Sequence, residues 1–243
     1  MTRRRWIADE VSLNRAALTG DHADHLIRVL RARVGQEFDI AAGNTENRDS
    51  VRRGRIVSIA EGRVEFELGE EISSAPAAKV TLLIAVFKFD RMEWAIEKCT
   101  ELGVSRIVPV LARRTDAHLA SASAKRAERW RRLAHQAAEQ SRRACPPEIA
   151  VPLQLQEAAS LAGALKIVLA ESERQIDLRD VLSAPSREGD VLLAVGPEGG
   201  WTEDELHAFH KAGWVTASLG PTILRAETAA IAAAAITISE LGR

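Results

Sequence analysis

The amino-acid sequence predicts an α/β fold, with a mainly parallel sheet in the C-terminal part and a small β-rich module ahead of it. Three observations carry that expectation. The segments VTLLIAVF, RIVPVL, KIVLAE and VLLAVG are apolar without alternation, as in parallel strands buried on both faces. Helical patterns separate these segments, and strands alternating with helices build a parallel α/β domain. Before about residue 72 short strand-like segments dominate. The last of them, GRVEFELGEE, alternates Val64, Phe66 and Leu68 with Arg63, Glu65 and Glu67.

The first element in the chain to show a clear period is DHADHLIRVLRARVG. It spaces His22, Leu26, Val29, Leu30 and Val34 like an amphipathic helix and has Gly35 as its stop. EFDIAAG, VRRGRIVSIA and GRVEFELGEE follow as strands. EISSAPAAK (Glu71–Lys79) has linker composition, which divides the chain into domains 1–72 and 73–243. Beyond it, DRMEWAIEKCTELG offers Asp90 as N-cap, Glu93 three residues later and Gly103 as the C-terminal stop. SASAKRAERWRRLAHQAAEQSRRA reads as a long helix with a basic polar face. TEDELHAFHKAG carries the capping box Thr202-x-x-Glu205 and ends at Gly213. The closing ETAAIAAAAITISELG is apolar nearly all round, so it needs cover on several faces, in a core or at a subunit interface.

Composition narrows the function classes. Over 243 residues, 46% hydrophobic and 28% charged is ordinary for a soluble globular protein. A net charge of −1 argues against a globally basic nucleic-acid binder but leaves room for a local basic patch. Arginines outnumber lysines 27 to six, and arginine suits bidentate phosphate contacts. Two cysteines, Cys99 and Cys145, make neither a disulfide framework nor a metal site, and Cys99 falls on the apolar side of its helix. The N-terminus lacks the apolar region of a signal peptide, and no run approaches the roughly 20 residues that span a bilayer. A cytoplasmic protein with no membrane or metal partner is the expectation.

Two loops bear on function. Gly196-Pro197-Glu198-Gly199-Gly200 lies between a buried strand and the helix capped by Thr202. In open α/β sheets ligands sit outside the carboxyl ends of strands, where such loops lie. The loop is neither G-x-G-x-x-G nor a phosphate-binding Walker loop, so locally it reads equally as a tight turn or a site. WVTASLGPTILRAETAA repeats the arrangement, with Leu219-Gly220-Pro221 after a short strand and Arg225, Glu227 and Thr228 at the entry to the last helix. In isolation Arg225 and Glu227 read as a surface ion pair. Two such loops after neighbouring strands suggest a shared cleft.

These segments closely resemble motifs of the RsmE family of 16S rRNA (uracil-N3)-methyltransferases, members of the knotted SPOUT superfamily. The resemblance rests on GPEGGWTEDE, LGPTILRAETA, HLIRVLRARVGQ, FDRMEWAIEKCTELGV and RWRRLAHQAAEQSRRACPPEI, five ordered motifs from residue 25 to residue 230. The family usually has glycine where this chain has Phe89 and Arg142, and arginine where it has Thr222.

The resemblance implies S-adenosylmethionine bound in a trefoil knot, among the loop after KIVLAE, the Gly196–Gly200 loop and the Leu219–Leu224 loop. Leu169, Val195, Leu219, Ile223 and Leu224 would wall the adenine, and the backbone of Gly196, Pro197, Glu198, Gly199 and Gly220 would reach its polar edges. The reaction would place a methyl on uracil N3, with Glu198 and Glu227 as candidates to accept the N3 proton. Arg225 would hold a phosphate or stabilise the enolate-like anion. The N-terminal module resembles the family's PUA-like RNA-binding domain, with Arg3, Arg4, Arg5, Arg28, Arg31, Arg52, Arg53 and Arg55 as a phosphate-reading surface. Thirteen acidic residues in the first 72 make that surface one-sided. The last helix fits a homodimer. Two competing readings are a SPOUT enzyme acting on another RNA or base atom and a non-catalytic RNA-binding relative. A dinucleotide-dependent enzyme is weakened by the missing fingerprint.

Overall fold

Alternating and non-alternating apolar patterns build two different sheets. The structure, a computed structural model, describes residues 5–42, 50–72, 79–183 and 189–242. The chain divides into two units, one of Met1–Ala77 with Ala138–Pro146, the other of Ala78–Ala137 with Pro147–Arg243. The expected linker falls mostly on residues 73–78, which lie outside the described residues.

The first unit contains β1 (Arg5–Ile7), β2 (Glu10–Ser12), β3 (Arg15–Thr19), α1 (Gly20–Asp24), β4 (Glu37–Ala41), β5 (Val51–Ala60) and β6 (Arg63–Ile72). Its sheet runs β1-β4-β5-β6-β3-β2, antiparallel except for the β1–β4 pair. The period of two in β6 does what it predicts: Val64, Phe66 and Leu68 are buried beside Leu18, Ile40 and Ile56. Gly54 of β5 lies under Ile40, whose side chain fills the space a Cβ would need.

The helix expected as far as Gly35 is much shorter. After α1, a π-helical turn at His25–Val29 gives way to Arg31 in the left-handed region (φ +49°). The Ala32 amide bonds the Leu26 carbonyl at 3.1 Å as the chain turns out of the helix. Only Ala23 and Leu26 are fully buried, while Val29 and Val34 are 63% and 62% exposed. The helical segment ends at Val29, so the apolar spacing downstream has nothing to pack against.

The second unit contains β7 (Val80–Ala85), α2 (Phe89–Leu102), β8 (Arg106–Leu111), α3 (Ala117–Gln140, whose last turn belongs to the first unit), β9 (Glu148–Ile149), β10 (Leu153–Gln154) and α4 (Leu155–Ala159). β11 (Leu165–Leu169), α5 (Leu178–Leu182), β12 (Val191–Val195), α6 (Glu203–Lys211), β13 (Val215–Ala217) and α7 (Ala226–Leu241) complete it. The strands form a wholly parallel seven-stranded sheet ordered β10-β8-β7-β12-β11-β13, with β9 also on β8. The α/β class expected from the non-alternating runs is therefore the observed one. Successive residues of one strand serve opposite cores, Leu82 and Ile84 facing α2, α3, α5 and α7, Leu83 and Ala85 facing α4 and α6.

Helix α2 starts earlier than expected. Lys88, not Asp90, is its N-cap, and Glu93 does not close a capping box but pairs with Arg126 and Arg129 at 3.0 and 2.9 Å. Phe89 enters the first turn because it packs edge-on against Trp130 (5.9 Å between centroids), with the Arg126 guanidinium over its ring. Gly103 ends the helix at φ +113° as expected. Cys99 is fully buried on the apolar face, and burial pushes its thiol up to about 12. Among the described residues no helix is long and apolar enough to cross a membrane.

Candidate active site

The strand order β12-β11-β13 puts three carboxyl ends side by side, and their loops meet around a cavity of about 340 Å³. Leu169 and Val195, the last residues of β11 and β12, form its floor. Gly196, Pro197, Glu198 and Gly199 supply one wall, and Leu219, Gly220, Ile223 and Leu224 another. All ten residues expected at a cofactor site thus face one cavity.

The Gly196–Gly200 loop is held from several directions. The Gly200 amide donates to the Pro197 carbonyl at 2.8 Å, closing a tight turn at φ +70°. The Arg114 guanidinium donates to the Gly199 carbonyl. A Cβ at Gly196 would lie 3.3 Å from the Trp201 backbone and ring, a tight contact that glycine avoids where the chain folds back on that indole. The capping box forms as expected: the Thr202 amide donates to Glu205 Oε2 at 2.7 Å and the Glu205 amide to Thr202 Oγ1 at 3.3 Å. Glu205 Oε1 also accepts the Arg113 amide at 2.7 Å, anchoring the loop that carries Arg114 to the start of α6. The segment is a tight turn, and the same residues line the cavity.

The Leu219–Leu224 loop is more open. The Gly220 amide and carbonyl both engage Ser218 Oγ, at 3.1 and 3.2 Å, and Ile223 is 75% exposed. Thr222, where the resemblance leads one to expect arginine, lies exposed on the cavity wall.

The two candidate proton acceptors occupy different places. Glu198 lines the cavity and its side chain is 40% exposed. Glu227, in the first turn of α7, is outside the lining and only 3% exposed, with Oε2 buried and lacking a hydrogen-bond partner. Arg225, the expected cleft cation, is the exposed N-cap of α7 and does not line the cavity. Arg91, in the first turn of α2, is likewise outside the lining but is paired with Glu198, which lines it: its Nη1 lies 2.6 Å from Glu198 Oε1 and its Nε 3.8 Å from Glu227 Oε1. Sequence reasoning assigned no role to Arg91, nor to Glu171, Arg174 and Arg114, which bring charge to the cavity wall. The R-M-E segment that contains Arg91 was the available signal.

Of the basic residues expected to read RNA, Arg3 and Arg4 lie outside the described residues. Arg28, Arg31 and Arg55 are exposed, Arg28 beside Asp24 at 3.6 Å. Arg53 is half-buried and 3.7 Å from Asp39. Arg5 donates to the Arg142 carbonyl at 2.6 Å. Arg52 is a correction: its guanidinium bonds the carbonyls of Leu13, Gly69 and Leu68 at 3.0 to 3.2 Å, so it fastens the sheet to the turn before β3. An arginine in a basic run has the same sequence signature whether its partner is a phosphate or a carbonyl.

A glycine-loop cavity at the carboxyl ends of a parallel sheet, without dinucleotide or Walker signatures, defines an α/β ligand-binding enzyme of a separate kind. Comparison with known proteins gives the kind: residues 73–238 match the model of the RNA methyltransferase domain, and the chain belongs to that family. It is 35% identical over 216 residues to the ribosomal RNA small subunit methyltransferase E of Synechocystis, covering 87% of this chain and 69% of that one. It is also 35% identical over 228 residues to the protein of that name from Mycobacterium tuberculosis, covering 90% and 84%. Among solved structures, ribosomal RNA small subunit methyltransferase E from Neisseria gonorrhoeae, bound to S-adenosyl methionine, superposes with a TM-score of 0.80 at 29% identity over 96% of both chains. A methyltransferase from Legionella pneumophila in complex with SAM gives 0.80 at 26% identity over 98% of both.

Proposed function

We propose that this chain methylates N3 of a uridine in the 16S rRNA of the small ribosomal subunit, using S-adenosylmethionine. The observation that carries the reading is the three-loop cavity in a member of the RNA methyltransferase family, whose relatives of known structure are bound to that cofactor. The residues present fit the group: apolar Leu169, Val195, Leu219 and Leu224 suit the adenine, and Gly196 presents bare backbone to the cavity beside Trp201. Bound there, the cofactor supplies an electrophilic methyl on sulfonium. The chain itself orients the base, excludes water and accepts the N3 proton, because a neutral imide nitrogen is a poor nucleophile. Glu198, open to the cavity, takes the proton; buried Glu227 supports the site from behind.

The first unit, a PUA-like module, captures RNA through Arg28, Arg31, Arg55 and their neighbours. The loops of the second unit form the knot of the SPOUT superfamily. Two copies associate over α7, whose Ile231, Ala232 and Ala235 form an apolar groove with half-exposed Trp94 of α2. The test is incubation with labelled cofactor and unmethylated small subunits, followed by mapping of the modified nucleoside. Label in 3-methyluridine supports the reading; label in another nucleoside, or none, overturns it.

A further inference from the structure

We infer that Arg91 and Glu198 together read the imide edge of the target base, and that Arg91 is a catalytic residue which Glu227 positions. The inference rests on the proposed uridine N3 reaction and adds the groups that select uracil and stabilise its anion.

The pair presents a hydrogen-bond donor beside an acceptor, Arg91 Nη1 and Glu198 Oε1 being 2.6 Å apart, and both side chains are partly open, 31% and 40% exposed. Uracil offers the complementary pattern: the N3–H donor is flanked by carbonyl acceptors at C2 and C4. A carboxylate oxygen can take N3–H while a neighbouring guanidinium donates to one carbonyl oxygen. Cytosine puts an acceptor at N3 and an amino donor at C4, so it meets the same pair with acceptor on acceptor and donor on donor. A site built on paired polar groups rejects such a base strongly, because its own groups are left unpaired.

The same pair manages charge. As the N3–H bond breaks, its electron pair stays on the imide and the proton passes to a Glu198 oxygen. Glu198 becomes neutral as the base becomes anionic, so the cation that faced the carboxylate faces the imide oxygen instead. Glu198, 40% exposed, then returns the proton to solvent. Arg91 must hold its place through this exchange, and Glu227 supplies the reason it can. That carboxylate is 3% exposed, cannot follow the base, and has Arg91 Nε at 3.8 Å. With Oε2 otherwise unpartnered, Glu227 needs the Arg91 charge whether Glu198 is ionised or not.

The test uses the full chain with small subunits reconstituted from transcribed rRNA containing either uridine or 5-fluorouridine, whose N3 proton is more acidic. Arg91→Met should lose roughly 100-fold in kcat on the uridine substrate, the scale of removing one preorganised donor from a developing anion. The loss should shrink several-fold on the fluorinated substrate and at higher pH. Calorimetry should show S-adenosylmethionine affinity within about twofold of wild type, and Arg91→Lys should recover part of kcat. An equal loss on both substrates, unchanged kcat, or a matching loss of cofactor affinity would overturn the role of Arg91. If Arg91→Met does not fold, Arg91→Lys carries the same substrate ratio. A wild-type chain that methylates neither substrate at N3 overturns the functional reading itself.

Discussion

The two units handle left-handed backbone differently. In the second, every left-handed position among the described residues is glycine: Gly103, Gly189, Gly200, Gly213 and Gly220, at φ from +70° to +138°. In the first, Leu13, Arg31 and Arg142 adopt φ of +32°, +49° and +60° beside Gly20, Gly35 and Gly62. The side-chain-bearing residues lie in or near the small left-handed basin that L-residues can reach, and all three are exposed. Several of the glycines sit beyond that basin or against neighbours, as Gly200 does beside Glu171. Chain reversal alone therefore does not demand glycine; a φ outside the basin or a crowded Cβ does. Arg142 illustrates this, since the RsmE pattern has glycine there and this chain keeps arginine at a strained but reachable angle.

Four measurements can break or sharpen the contrast. Gly189→Ala should cost most, about 3 kcal/mol in urea denaturation, because its φ of +138° excludes a side chain and a Cβ would lie 2.7 Å from that of Ala164. An effect below about 1 kcal/mol would remove the distinction. Gly220→Ala, with φ +113° but nothing within 4 Å, isolates the backbone contribution and should cost about 2 kcal/mol. In the first unit, Glu139 and then Asp9 raise the His22 imidazolium to about 9 from its ordinary 6.5. That raised value stabilises the fold fully below about pH 6.5, and the contribution disappears as pH climbs through 9. Allowing for solvent screening, about 1 kcal/mol should be lost between pH 6 and 9.5, and His22→Ala should abolish that slope. Arg142→Gly should show the smallest effect, a gain of about 0.5 kcal/mol by relief of its positive φ, read as a higher urea midpoint.

The fold was most legible where burial is complete. β7 and β12 are buried at every residue and apolar at all but Thr81, because both faces are covered. β1, β2 and β3 left no comparable mark: they are three to five residues long and owe their place to partners far along the chain, as β3 does to β6. The cavity was legible because glycine-rich loops follow buried strands. Arg91 was not, since its pairing with Glu198 joins residues 107 positions apart and depends on which helix meets which loop. Likewise nothing local distinguishes buried Glu227 from a surface partner of Arg225.

The place of β12 also bears on how the chain is made. It pairs with β7 on one side and β11 on the other, so the middle of the sheet stays vacant until residues 191–195 have been synthesised. Up to that moment β7 presents one unpaired apolar edge and β11 is unpaired on both sides, since β13 follows later still, the kind of surface that draws nascent chains into aggregates. Maturation of the second unit is thus a late, non-local event in translation, and a ribosome stalled before Asp190 would display a chain with β11 unattached to the sheet and no finished cavity.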